Sequence, residues 1–122
     1  MLEDVRLQAH VLMEMATFLG DSYDRPISLA LTIQDMGGTE DTYFNVLAKT
    51  HYLILNTDIS KYTLADFKVF YQKLEPEVFR DVSDITIVKL LNALAIMHVE
   101  DLYPIAKNIT LKYQLDNKLP GI

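Results

Sequence analysis

His10, His51 and His98 are the side chains of this sequence best suited to hold a metal ion or move a proton near neutral pH. A helical zinc site pairs two histidines one turn apart, often as His-Glu-x-x-His, and no such spacing occurs here. Glu100 and Asp101 follow His98 closely and would favour its protonated form. A cationic cap at a helix C-terminus accounts for the same arrangement, and that structural role is the preferred one. The chain has no cysteine, which removes disulfides, thiolate metal sites and a thiol nucleophile together.

Carboxylates occur in pairs, Glu3/Asp4, Glu40/Asp41, Glu75/Glu77 and Glu100/Asp101, but each pair sits where the positive end of a helix already favours negative charge. Gly37-Gly38 has no strand before it and two acids after it, so it reads as a turn and not as a phosphate cradle. Asn56, Thr57, Asp58 and Ser60 offer oxygen ligands but lack the regular spacing, turn glycine and closing Glu of a calcium loop. No Ser or Thr lies in a nucleophile-elbow context. The expectation is a non-enzymatic chain with no catalytic, cofactor-binding or metal-binding residue.

Aromatic side chains carry the more suggestive signal. Tyr43, Phe44, Tyr52, Tyr62, Phe67, Phe70, Tyr71, Phe79, Tyr103 and Tyr113 exceed what a small core buries completely, and a rigid ring at a surface suits a protein interface. The first helix spreads Val11, Leu12, Met13, Met15 and Phe18 over most of its circumference, so it is either threaded into the core or turned toward a partner. The candidate interaction surface is therefore Leu12, Met15, Tyr43, Tyr62, Tyr71, Tyr103 and Tyr113.

The elements that must position these residues are all helical by pattern. Apolar residues recur at helical spacing over 3–19, and Gly20 suits a C-terminal cap. A second helix has Pro26 in its first turn and ends near Met36 before Gly37-Gly38. A third runs from a Thr39 cap to about Asn56; Tyr52 to Leu55 resembles a strand by type but continues the helical period. Thr63 with Asp66 marks the start of a fourth helix, Pro76 punctuates it, and Glu77 to Val82 reads as a short helix or turn. Ser83 or Asp84 caps the fifth, whose apolar run to Ile96 makes it the central helix. Glu100-Asp101 opens the sixth, with Pro104 in its first turn and a stripe through Ile105, Ile109, Leu111 and Leu115; Asn117 to Gly121 ends it.

Shifting the chain on itself lays Glu40-Asp41-Thr42-Tyr43 on Glu100-Asp101-Leu102-Tyr103 and Met36 on Met97, which suggests helix pairs over 26–56, 63–82 and 84–115. Such units resemble two-helix scaffold repeats only generically, since amphipathicity and acidic first turns alone produce this much likeness; the consensus residues of tetratricopeptide and ankyrin repeats are absent.

Length and composition bound the rest. The chain has 122 residues, half of them hydrophobic, enough for one domain with its own core. Its net charge of −6 repels phosphate backbones and favours a basic partner surface. The opening turn reads as no export signal, and Ile85 to Val99 is too short and too interrupted to span a bilayer. The expected fold is an all-α domain of five to six helices, as an orthogonal bundle or a short stack of helix pairs without disulfides. The expected function is a protein-interaction or assembly module, intracellular in a reducing compartment, cytoplasm favoured over an organelle. Its partner would be another protein or a second copy, without cofactor or membrane. The rivals are a segment of a helical-repeat nucleic-acid binder, which needs Lys68, Lys73, Lys89, Lys107 and Lys112 on one face, and a small acidic regulator, of the kind found in phage, that covers a basic site on its target.

Overall fold

The computed structural model describes residues 5–118, and among them all regular structure is helical. In chain order the helices are α1 (Val5–Phe18), α2 (Leu29–Asp35), α3 (Glu40–Asn56), α4 (Leu64–Leu74), α5 (Pro76–Phe79), α6 (Asp84–Met97) and α7 (Tyr103–Asn117), with a 3-10 turn at Glu100–Leu102. No helix among these residues is long and apolar enough to cross a membrane. The expected start of the first helix at Glu3, and Leu119 to Gly121 of the terminal breaker cluster, lie outside the described residues.

Most boundaries follow from local capping. Ser28, Thr39, Thr63 and Ser83 each sit in extended backbone and accept an N–H of the first turn, which satisfies a donor the helix cannot. Gly20 (φ 91°) and Gly37 (φ 87°) adopt the left-handed conformation that closes α1 and α2. In both, the following N–H returns to a carbonyl of the last turn, Asp21 to Ala16 at 2.9 Å and Gly38 to Ile33 at 2.9 Å, the double bond pattern of a Schellman cap.

Three boundaries differ from expectation. Seven helices are present among the described residues instead of five to six, because Glu75 breaks out of helical backbone (φ −141°, ψ 81°) and Pro76, lacking an N–H, starts the separate turn of α5. Pro26 lies in the connector and is buried; α2 begins only at Leu29, where Ser28 supplies the cap. Glu100 and Asp101 lie in the 3-10 turn, and α7 starts behind them with Pro104 in its first turn.

α6 is the centre, with eight of its 14 residues buried, and α7, α2 and α4 pack around it. α3 packs on α2, and α5 on α4, where Tyr71 stacks on Phe79 at 5.4 Å between ring centres. The buried faces of α3 and α7 invert the usual pattern. α3 turns Thr42, Val46, Thr50 and Leu53 inward, and α7 turns Ala106, Ile109, Thr110 and Gln114 inward. Leu111 and Leu115, expected in the stripe, face outward. The inward polar groups are paired, as burial requires: Asn92 donates to Thr110 (2.9 Å) and to the Tyr23 carbonyl (3.1 Å), and Gln114 donates to the Tyr23 hydroxyl (2.9 Å).

Candidate interaction surface

α1 is the helix least covered by the rest of the molecule. Ala16 is its one buried side chain among residues 7–18. Leu12, Met15 and Phe18 are 49%, 55% and 90% exposed, and Leu7, Val11 and Leu19 are also open to solvent. The reason is the short tether: α1 closes on the Gly20 cap, and Asp21 then ties the connector to α6 through Lys89 at 2.6 Å while accepting the Ile27 N–H at 2.9 Å. That anchor holds the C-terminal end of α1 near the core without laying its apolar length along it.

Between α1, α2 and the start of α3 lies an open groove of about 720 Å³. Leu12, Met15 and Leu19 form one wall, Ile27 and Leu31 another, and Tyr43 with Phe44 closes the end, their ring centres 5.2 Å apart. Phe44 is 60% exposed and begins an outward stripe that continues along α3 through Tyr52 and Leu55, at 64% and 82% exposure. These positions fall on the side of α3 opposite its buried Thr-Val-Thr-Leu face, about two turns and then about one turn apart. Charge is uneven as well. Residues 7–44, which build the groove, hold six carboxylates against one Arg, whereas residues 45–118 hold nine of each sign.

The seven candidate residues do not share one surface. Leu12, Met15 and Tyr43 meet in the groove. Tyr62 and Tyr113 line a second cleft, about 650 Å³, between the start of α4 and α7. Tyr103 is exposed beside His98 in a smaller depression. Tyr71 is a correction: it is fully buried, its hydroxyl is 2.8 Å from Thr50, and burial raises its pKa well above the ordinary tyrosine value. Its ring meets the core because Leu64, Phe67, Tyr71 and Leu74 make one helical face.

Phe44, Leu19, Ile27 and Leu31 complete the groove and were not among the candidates. The signal for Phe44 was present, since it lies off the Val46–Thr50–Leu53 face; the inversion of that face, with threonine inside, concealed it.

No protein-family model matches the chain, and comparison with curated proteins and with solved structures found no match.

The remaining chemistry-bearing residues are scattered over the surface and form no shared site among the described residues. His98 caps α6, and its Nε2 lies 3.3 Å from the Tyr43 hydroxyl. His10 and His51 are exposed on separate helices. Asp58 accepts the Ser60 N–H at 3.0 Å in an exposed turn, and that bond lowers its pKa. Among the described residues no three His, Asp or Glu side chains converge as a metal shell would. Lys68, Lys89 and Lys112 each meet a carboxylate, Asp84 at 3.0 Å, Asp21 at 2.6 Å and Asp116 at 3.7 Å.

Proposed function

We propose that this chain is a protein-interaction module that docks a partner protein in the groove between α1, α2 and α3, on a scaffold of helix pairs over 26–56, 63–82 and 84–115. The observation that carries the reading is α1: a helix rich in large apolar residues that buries only Ala16 among residues 7–18. Contiguous exposed apolar surface of this kind, on a molecule with a core elsewhere, marks an association surface. The nucleic-acid reading is less favoured because three of the five lysines it needs are paired with carboxylates.

The test is Val11→Glu combined with Met15→Glu, followed by circular dichroism, thermal melting and binding of a dye that fluoresces on apolar surfaces. The expected result is a folded variant that melts within a few degrees of the parent and loses most of the dye signal. A variant that unfolds would place α1 in the core and overturn the reading.

A further inference from the structure

Resting on that reading, we infer that the occupant of the groove is a basic amphipathic α-helix of another protein. The first argument is the backbone. Among the described residues there is no strand, hence no open sheet edge with which an extended peptide could form ladder bonds. The walls are α1, α2 and α3 with their caps, most of whose N–H and C=O groups are used within each helix or by its capping residues. An occupant gains few backbone bonds here and binds mainly through side chains, which a helix presents with apolar residues at i, i+3, i+4 and i+7. The groove and the Phe44–Tyr52–Leu55 stripe continuing from it give such residues a run of apolar contacts. Met15, flexible and more than half exposed, can adapt to their shape.

The second argument is charge. The groove lining contains Glu40 and no Lys or Arg. Glu14, Asp35 and Asp41 are exposed on the helices that form the walls. Residues 7–44 carry five of the chain's six net negative charges, and although Lys89 neutralises Asp21 among them, residues 45–118 balance to zero. A second copy of the chain would set two such acidic segments face to face. Lysine or arginine on the polar flank of an incoming helix is attracted instead, which raises the association rate and fixes its orientation.

The full chain is titrated with two synthetic peptides of about 18 residues. Both carry leucine on one helical face; the flank is lysine in one and glutamate in the other. Binding is followed by calorimetry and by amide shifts at about 0.05 M and 0.5 M salt. The basic peptide is expected to bind at least ~10-fold tighter than the acidic one, the gap shrinking at high salt. Shifts are expected over residues 12–19, 27–34 and 39–44. Met15→Ser with Phe44→Ser, both exposed positions, should keep the fold and weaken the basic peptide ~10-fold or more. Glu40→Gln with Asp41→Asn should weaken it several-fold and flatten the salt dependence.

Equal binding of both peptides in the groove overturns the basic occupant and leaves the interface reading standing. Shifts elsewhere, or indifference to the Met15/Phe44 variant, overturn the inference as well. If neither peptide binds and light scattering shows a dimer that this variant dissociates, the occupant is a second copy. If neither binds and the chain stays monomeric, both the inference and the interface reading fall.

Discussion

Replacing Tyr71 with Phe tests the buried hydroxyl pair that α3 and α4 share in the core. Thr50 and Tyr71 are both fully buried, with their oxygens 2.8 Å apart. Thr50 has one proton and gives it to the Val46 carbonyl at 2.7 Å, so the Tyr71 hydroxyl must be the donor between the two side chains. Tyr71→Phe removes a donor and leaves an acceptor whose own proton is still placed, a loss of about 1 kcal/mol. Thr50→Val strands the Tyr71 O–H in an apolar site, a heavier cost of about 2 kcal/mol. The double variant removes both groups and should lose only about 1 kcal/mol, less than the sum of the singles. Urea titrations of the four proteins give the coupling, and melting temperatures should follow at about 4 °C per kcal/mol for a chain of this size. Alkaline pH provides a second readout. Burial raises the Tyr71 pKa in the folded state, so its contribution is complete below pH 10 and declines as pH rises above the unfolded value of 10.0. The decline is about 1.4 kcal/mol per pH unit, so the advantage of Tyr over Phe should vanish near pH 11. Additive single-variant losses, or an advantage unchanged at high pH, would refute the buried donor.

Lys89→Met breaks the pair with Asp21, whose side chains are 23% and 13% exposed, and leaves a half-buried carboxylate without its cation. The expected loss is about 2 kcal/mol, below that of a fully buried pair, with faster amide exchange over residues 19–27; unchanged exchange would show that the tether does not hold the connector. Gly38→Ala places a Cβ 2.6 Å from Ile33 Cγ2 and 3.0 Å from Thr42 Cγ2, between α2 and α3. Denaturant titration should show a loss of about 1–3 kcal/mol from this crowding, and a neutral result would mean the groove wall yields freely.

Much of the fold was legible because its signals are local. A threonine or serine before an apolar run caps a helix whatever lies beyond it, and Thr39, Thr63 and Ser83 mark their helices on that basis alone. Gly20 and Gly37 end theirs for a similar reason, since the left-handed turn suits glycine. The apolar density of α6 likewise announced the central helix. Which face turns inward depends instead on the neighbour that each face meets. Tyr71 and Tyr103 are the same residue type on amphipathic helices, yet one is enclosed by α4, α5 and α3 partners and the other faces solvent. Thr50, Thr110 and Gln114 point inward because Tyr71, Asn92 and Tyr23 await them across the core, and Phe44, Leu111 and Leu115 are consequently turned out.

Helicity, most helix ends and the central place of α6 follow from local signals, because capping, glycine conformation and hydrophobic period act over a few residues. Packing between helices sets which side of α1 and α3 is left uncovered, brings Leu12, Met15 and Tyr43 into one groove with Phe44, and keeps Tyr71 out of it. Those are questions of long-range packing: a helix of fixed pattern can rotate its apolar surface toward the core or away from it, and the buried hydrogen bonds of its neighbours settle which.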